Sequence, residues 1–396
     1  SSNQRPLSRF LAAPPLKEFR FRKVTSKGTL YHNTLNFLLE LPFTASLLAT
    51  LFKMSTTDAA PTTTNVINVG TRKSPLAIAQ TEIVVKQLQK AYPDIDFRIH
   101  GMTTTGDRDQ ITALYNFGGK GLWTTQLEEK LATKEFDIVV HSLKDMPTSL
   151  PDGCVLGVVT TREDPRDVLV IKQALVDQHG WKSITELPEG SVIGTSSVRR
   201  IAQLRRRYPG LKFKDHRGNI QTRLQKLKDD PELTAIILAA AGLQRMDLGA
   251  HISQFLELDN GGILHAVGQG AIGVECRAGD DKVLEMLKVL DNEETTLACA
   301  AERSVMRTLE GGCSVPIGVE TRWVDGKLRL RVTVVSTDGT EGVDAEFSEA
   351  ISSAEAADEY GQRVALDLVN RGAAKILDAI NAVKPAPGTE VSTKID

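Results

Sequence analysis

Cysteine is scarce in this chain, and its placement argues against two classes of protein. The four cysteines, Cys154, Cys276, Cys299 and Cys313, lie far apart, with no CxxC pair and no histidine at metal-ligand spacing. We therefore expect neither a disulfide framework nor a bound metal, and the pattern fits a reducing compartment.

Net charge is also low. With a formal net charge of −2, the chain as a whole is not attracted to nucleic acid or to an anionic membrane. A basic region does follow residue 199, but its only aromatic residues are Tyr208 and Phe213, whereas nucleic-acid sites usually interleave basic and stacking side chains. We expect no nucleic-acid partner.

No long apolar run is present that could easily cross a membrane. The best candidate, residues 34–52, is interrupted by Glu40 and Pro42, so we expect no membrane partner. Residues 1–53 carry eight basic and two acidic residues, a composition typical of organelle transit peptides. The Ser/Thr/Ala/Pro stretch that Met54 opens is instead typical of the start of a cytosolic domain. We interpret residues 1–64 as a disordered leader and expect a cytoplasmic protein, with organelle import left open.

What the chain does contain is a series of short β-branched runs that end in polar residues. The run from Ile138 to Val140 predicts a buried strand of a parallel sheet, and it is followed by His141–Asp145 and then Pro147. Ligands bind at the carboxyl ends of strands in open α/β sheets. The alternative is a loop in which Lys144 and Asp145 are merely solvated.

Two stretches of the sequence resemble each other and predict two similar half-units. VGTRKSPLAIAQ (69–80) and IGTSSVRRIAQ (193–203) both read as a strand, a polar turn and a helix, and Ser74 is a good N-cap. Helix N-termini favour anions. We expect an α/β fold with two similar lobes around a cleft, like those of periplasmic binding proteins.

The last part of the chain changes character and predicts a small α+β domain. An amphipathic helix over 295–309 is followed by a hairpin with its turn at Asp325–Gly326. The expected domains are 65–164 with a return segment 267–290, then 165–266, then 291–383 carrying Cys313. Residues 384–396 are expected to be a disordered tail. We expect a monomer.

Arginines follow the second half-unit in positions that suit a ligand. Arg199 and Arg200 stand in the first turn of a helix, where the dipole disfavours cations, so an anionic ligand is indicated. Arg217, Arg223 and Arg245 each lie beside a glycine or a strand-derived turn. Arginine binds carboxylates bidentately, and small carboxylates are therefore the expected ligands.

One motif points elsewhere and is rejected on its context. Gly268–Gly273 matches the letters of the dinucleotide fingerprint GxGxxG. That fingerprint needs a strand before it and a helix after it. Here a helix-like stretch precedes it and a predicted strand, residues 274–276, follows, so we expect no dinucleotide.

Six linked motifs resemble the porphobilinogen deaminase family. They are HSLKDMP, GTSSVRR, HRGNIQTRL, AGLQR, GQGAIGVE and LEGGCSVPIG, in the right order over about residues 65–382. One departure is Trp123, where the family usually has a loop phenylalanine.

The resemblance implies an activity, a cofactor and a set of site residues. The family joins four porphobilinogen units head to tail into the linear tetrapyrrole hydroxymethylbilane, with loss of ammonia. The chain grows on a dipyrromethane cofactor held by a thioether, which the resemblance places on Cys313. Asp145 matches the catalytic aspartate. Positions matching cofactor contacts are Ser142, Lys144, Thr195, Ser197, Arg199, Arg200, Arg217 and Arg245. Positions matching substrate contacts are Arg72, Ser74, Arg223 and Gln269.

Two other readings remain open at this point. A non-enzymatic two-lobed protein that binds small carboxylates would need neither Cys313 nor a third domain. An RNA-binding protein using the arginine cluster would show steeply salt-dependent affinity.

Overall fold

The computed structural model describes residues 65–108, 123–309 and 315–382. The predicted leader and tail, residues 109–122 and Cys313 lie outside the described residues. None of the described helices is long and apolar enough to cross a membrane.

The first sheet has five strands, in the order β2 (Ile95–Met102), β1 (Asn65–Arg72), β3 (Ile138–Ser142), β10 (Ile272–Arg277) and β4 (Cys154–Val159). Strands β1, β2 and β3 run parallel, whereas β10 is antiparallel to both of its neighbours. Hydrophobic side chains of the sheet and of α1 and α8 form one core. The elements are β1 (Asn65–Arg72), α1 (Pro75–Ala91), β2 (Ile95–Met102), α2 (Thr105–Arg108), α3 (Thr125–Ala132), β3 (Ile138–Ser142), β4 (Cys154–Val159), β10 (Ile272–Arg277) and α8 (Asp281–Leu287).

The second sheet repeats this arrangement, in the order β7 (Lys212–Lys214), β6 (Val192–Gly194), β8 (Leu233–Ala239), β5 (Asp167–Ile171) and β9 (Gln254–Leu256). Strands β6, β7 and β8 are parallel, and β5 is the antiparallel strand that takes the place of β10. Each lobe therefore contains one reversed strand beside a segment that crosses between the lobes. The elements are β5 (Asp167–Ile171), α4 (Gln173–His179), β6 (Val192–Gly194), α5 (Val198–Arg207), β7 (Lys212–Lys214), α6 (Ile220–Asp229), β8 (Leu233–Ala239), α7 (Ala240–Arg245) and β9 (Gln254–Leu256).

The third sheet is an antiparallel meander, and helices cover it around their own core. The predicted hairpin turn is present, with Asp325 and Gly326 both at positive φ. The C-terminal helical segment is interrupted where Gly372 adopts φ 108°. The elements are α9 (Glu293–Thr308), β11 (Ile317–Val324), β12 (Lys327–Val335), β13 (Gly342–Glu349), α10 (Ala354–Leu368) and α11 (Ala374–Ala382). The predicted fold class, two similar α/β lobes and a small α+β domain, is confirmed.

The GxGxxG stretch has a packing role in this fold. Gly268 and Gly270 adopt φ values of 68° and 90°, which other residues rarely reach. A Cβ on Gly270 would lie 2.3 Å from the carbonyl oxygen of Glu163. The two crossing segments therefore pass each other at a distance that only glycine allows, and the run leads into β10 and not into a helix.

Candidate functional site

The matched half-units bring two helix N-termini to one cleft. Ser74 caps α1 by accepting a hydrogen bond from the Ala77 amide at 3.4 Å, and Ser197 caps α5 by accepting one from the Arg200 amide at 3.5 Å. Both serines line a cleft of about 760 Å³, a volume suited to a small-molecule ligand. The resemblance between 69–80 and 193–203 thus corresponds to two similar cleft walls.

Asp145 stands in this cleft at the end of β3. The strand runs into a short 3-10 turn, Leu143–Asp145, which buries Leu143 and leaves the Asp145 side chain 30% exposed toward the cleft. Arg72 Nη1 lies 3.7 Å from Asp145 Oδ2. The reading of this turn as merely solvated is therefore disfavoured, because its carboxylate shares a cleft with a partly buried cation.

Lys144, next to Asp145, is linked through Gln269 to Asp167 at the start of β5. Its Nζ donates to Gln269 Oε1 at 3.4 Å, and Gln269 Nε2 donates to Asp167 Oδ1 at 3.0 Å. Burial lowers the pKa of the Lys144 ammonium to about 8, with Arg200 adding to the shift and Asp145 opposing it. Lys144 is thus a cation whose charge can be lost within a mildly alkaline range.

The charge of Lys144 gives a pH prediction. If its ammonium binds a substrate carboxylate, the KM for porphobilinogen should rise as the pH passes about 8, because the protonated form disappears. Lys144→Arg stays protonated, and its KM should rise less between pH 7 and 9. The two proteins are compared at each pH, so that titration of the substrate itself cancels. Parallel profiles would contradict a charge role for Lys144.

Arg199 and Arg200 have a partner that the sequence did not reveal. Arg199 Nη1 lies 2.7 Å from Asp167 Oδ2, and Arg200 donates to Asp167 Oδ1 from Nε at 3.0 Å and from Nη2 at 2.7 Å. Burial raises the pKa of the Asp167 carboxyl, but the two arginines outweigh it and hold that pKa well below its usual range. The arginines line the cleft, and they also neutralise a fully buried carboxylate.

This pairing changes what an arginine substitution should do. Arg200→Leu should lower the free energy of unfolding by about 3 kcal/mol, the lower end of the cost of breaking a buried ion pair, since Arg199 still pairs with Asp167. A depressed carboxyl pKa contributes stability above about pH 4 and loses it below. The difference between variant and wild type should therefore shrink in acid.

Denaturant unfolding at pH 7 and at pH 3 measures this difference. Adding Asp167→Asn to the Arg200→Leu protein should recover part of the lost stability, because no uncompensated charge remains. Wild-type unfolding of Arg200→Leu at both pH values would show that the ion pair carries no stability.

Three further predicted arginines lie in the wall of the second lobe. Arg217 is 3.3 Å from Asp215, Arg223 Nε donates to the Gly218 carbonyl at 2.8 Å, and Arg245 Nη2 donates to the Gly270 carbonyl at 2.7 Å. Burial, together with the charges of Arg200 and Arg217, lowers the pKa of Arg223 to about 10. Cations held this close to each other would be stabilised by an anionic ligand.

The smaller predicted residues divide into two groups. Ser142 lines the cleft and donates from Oγ to Gln80 Oε1 at 2.9 Å. Thr195 is only 2% exposed, and its hydroxyl accepts from the Ser197 amide at 3.3 Å. Thr195 thus supports the turn before α5 and is not among the residues that line the cleft. Gln80 does line the cleft, although the sequence analysis did not single it out.

Asp107 is the other residue that sequence reasoning missed. It follows β2, and it accepts from Arg72 Nη2 at 2.5 Å and from Arg72 Nε at 3.3 Å. The available signal was the polar run 103–107, which directly follows β2. That run shares its edge of the sheet with Asp145, because β2 and β3 both run parallel to β1.

The third domain supplies apolar groups to the cleft. Met306 of α9, Val315 and Ile317 line it beside Ala266 and Val267. Cys313 itself lies outside the described residues. Among the described residues no group of three or more histidine, cysteine or acidic side chains could hold a metal ion.

The donor set suits a small molecule that carries several carboxylates. Dipyrromethane, the cofactor that the sequence resemblance implies, bears acetate and propionate groups on its pyrrole rings. The cleft offers guanidinium groups on both walls, an ammonium, two capped helix N-termini and apolar surface between them. Bidentate guanidinium–carboxylate pairing and apolar contact with the rings would both be satisfied. The residues present therefore fit the group.

Comparisons with known proteins point the same way. The family model described as "Porphobilinogen deaminase, dipyromethane cofactor binding domain" matches residues 67–285, and the one described as "Porphobilinogen deaminase, C-terminal domain" matches residues 296–370. The porphobilinogen deaminase of Neurospora crassa is 54% identical over 325 residues, which cover 81% of this chain and 96% of that protein.

Relatives from other lineages match over a similar length. The porphobilinogen deaminase of Saccharomyces cerevisiae is 48% identical over 80% of this chain and 97% of its own, and that of Synechococcus elongatus is 50% identical over 81% and 97%. Among solved structures, the methionine binding protein MetQ aligns with 59% of this chain and 90% of its own at 14% identity, with a TM-score of 0.34. The chain thus belongs to the porphobilinogen deaminase family, whose members are transferases that use a dipyrromethane cofactor in tetrapyrrole biosynthesis.

Proposed function

We propose that Asp145 is the catalytic carboxylate of this chain and that the arginines around it bind the acid side chains of substrate and cofactor. The observation that carries the proposal is the position of Asp145. It stands at the carboxyl end of β3, in a cleft whose other charged side chains are mostly cations. A two-lobed carboxylate-binding protein would need the cations but would gain nothing from a carboxylate among them.

The chemistry explains why a carboxylate belongs there. The C–N bond of the aminomethyl group of porphobilinogen breaks, ammonia leaves with the electron pair, and the pyrrole becomes a methylene-pyrrole cation. The new C–C bond forms at the free α-carbon of a terminal pyrrole, which then loses its proton. The dipyrromethane cofactor, when bound, supplies the first such pyrrole.

Asp145 would act on the charge that appears during this sequence. A carboxylate held near the pyrrole N–H stabilises the developing cation and can take part in moving the proton. The Arg72 guanidinium lies 3.7 Å from the Asp145 carboxylate, close enough for the two opposite charges to attract each other. Lys144 and the arginines of the second lobe would orient the acetate and propionate groups, and the apolar residues of the third domain would exclude water.

The attachment point is supported by elimination. Burial raises the pKa of the Cys154 and Cys276 thiols to about 11 and that of Cys299 to about 12, so these cysteines form the reactive thiolate poorly. Val315, two residues after Cys313, lines the cleft. We assign the thioether to Cys313.

The remaining proposals concern organisation. We propose domain boundaries at 164/165, 266/267 and 290/291, with 267–290 returning to the first lobe, as the crossing of the chain between the sheets suggests. We propose a monomer, because few large hydrophobic residues of the described part of the chain are exposed: Ile83, Ile99, Val289, Val324 and Leu366. We propose a cytoplasmic enzyme, since the described cysteines, Cys154, Cys276 and Cys299, are free.

One experiment tests the proposed function as a whole. The protein is purified from cells that make porphobilinogen, its intact mass is measured, and ammonia release is then followed on addition of porphobilinogen. A dipyrrole adduct and one ammonia released per unit joined are expected. Tight binding of porphobilinogen with no adduct and no ammonia would favour the two-lobed binding protein instead.

A further inference from the structure

Arg72 is held along one edge by a carboxylate that is itself fixed. The Asp107 carboxylate accepts hydrogen bonds from Nε and Nη2 of Arg72. Asp107 Oδ2 also accepts from the Thr104 amide at 3.0 Å and from the Thr104 hydroxyl at 2.8 Å. Since Thr104 is fully buried, the Asp107 carboxylate cannot rotate freely, and the orientation of the Arg72 guanidinium follows from it.

Trp123 holds the flat face of the same guanidinium. The Arg72 Cζ atom lies 4.0 Å from the centroid of the Trp123 ring, within range of a cation–π contact. The ring itself is seated on Gly106, where an added Cβ would lie 2.4 Å from two ring carbons. Only glycine at 106 therefore allows this position of the indole, and Gly106 directly precedes Asp107.

With one edge and one face occupied, the third nitrogen of Arg72 has a defined direction. Arg72 Nη1 is the atom that lies 3.7 Å from Asp145 Oδ2. That separation is longer than a hydrogen bond, so Nη1 can approach an incoming carboxylate while it still acts on Asp145 by charge. Without Asp107 the long Arg72 side chain would have many rotamers available.

We infer that Asp107 and Trp123 are positioning residues, which fix the Arg72 guanidinium so that its Nη1 serves Asp145 and a carboxylate of porphobilinogen at the same time. The inference rests on the proposed role of Asp145. It assigns to neither residue a contact with the reacting atoms. Burial raises the pKa of the Asp107 carboxyl, but Arg72 and Thr104 outweigh it and keep that pKa below its usual value. Asp107 is therefore ionised throughout the neutral range.

A double-mutant cycle tests whether Asp107 acts through Arg72. Asp107→Asn and Arg72→Lys should each lower kcat/KM for porphobilinogen by about tenfold, the factor expected for losing one charge-assisted contact. The double variant should be no worse than Arg72→Lys alone, because Asp107 then has no guanidinium to orient. Asp107→Glu, which keeps the charge, should recover part of the loss. Effects that multiply in the double variant would overturn the inference.

The aromatic contact has its own matched pair. Trp123→Phe keeps a ring and should stay within about twofold of wild type, whereas Trp123→Leu should lose several-fold in kcat/KM, since only the ring face attracts the cation. Asp96→Asn, an exposed aspartate on β2 that pairs with Arg98, is the control for loss of a surface charge and should match wild type. Equal activity of Trp123→Phe and Trp123→Leu would remove Trp123 from the inference.

Folding and the proposed chemistry are separated by two readouts. Asp107→Asn should unfold within a few degrees of wild type, because Asp107 is partly exposed and an asparagine oxygen can still accept from Thr104. A large drop in melting temperature would mean a structural role and would contradict positioning. The rate of Asp145→Asn is measured separately: if that variant keeps its rate, the proposed function fails, whereas additive effects of Asp107 and Arg72 defeat only this inference.

Discussion

Asp145→Asn is expected to lower the rate of tetrapyrrole formation by about 10²–10³-fold, the usual effect of losing one preorganised electrostatic contact. Asparagine has nearly the same shape and can still accept a hydrogen bond, but it carries no charge. If the carboxylate stabilises a cation that exists only during deamination and coupling, the loss should appear in kcat and not in KM.

Two comparisons make this prediction specific to charge and place. Asp145→Glu keeps the charge but moves it by one methylene, so it should retain more activity than Asp145→Asn. Asp152→Asn removes an exposed carboxylate from a loop of the same lobe and should behave as wild type. Steady-state formation of hydroxymethylbilane measures all three. An Asp145→Glu protein as slow as Asp145→Asn would mean that position, and not charge alone, limits the rate.

Cys313→Ala should abolish tetrapyrrole synthesis altogether. Without the thiol there is no point of attachment, so the purified protein should have the mass of its sequence, with no dipyrrole adduct. It should still fold, because the change to alanine removes only the sulfur atom and introduces no charge. Intact mass and the melting curve are the measurements.

The matched control for this prediction is Cys154→Ala. Cys154 begins β4, is partly exposed and is free, so its loss should leave both the adduct and the activity in place. If the adduct persists on Cys313→Ala, or disappears from Cys154→Ala, the assignment of the thioether to Cys313 is wrong.

Local pattern was sufficient to predict the elements and the edge at which the site lies. The β-branched run before His141, the capping serine Ser74 and the hairpin at Asp325 are all short-range signals. They depend on contacts between residues close in sequence, and the structure confirms them. The two cleft walls could be predicted for the same reason, since each is one strand, one turn and one helix.

Long-range pairing could not be predicted in this way. Nothing near Arg199 in the sequence indicates that Asp167, more than thirty residues away, is its partner, so both arginines appeared to be available to a ligand. The link from Gln269 to Asp167 spans 102 residues. Gly270 matched a cofactor fingerprint in sequence. Its positive φ and its close approach to the Glu163 carbonyl arise because two distant segments cross, and the sequence does not show that crossing.

Single-turnover release of ammonia by Asp145→Asn, measured alongside its affinity for porphobilinogen, tests whether Asp145 stabilises the methylene-pyrrole cation. Both are determined on holoenzyme whose adduct has been confirmed by mass. The proposed role of Asp145 predicts that affinity stays near that of wild type while the rate of ammonia release falls by about 10²–10³-fold. If the rate holds while affinity collapses, Asp145 is a binding residue and the cation is stabilised by some other group.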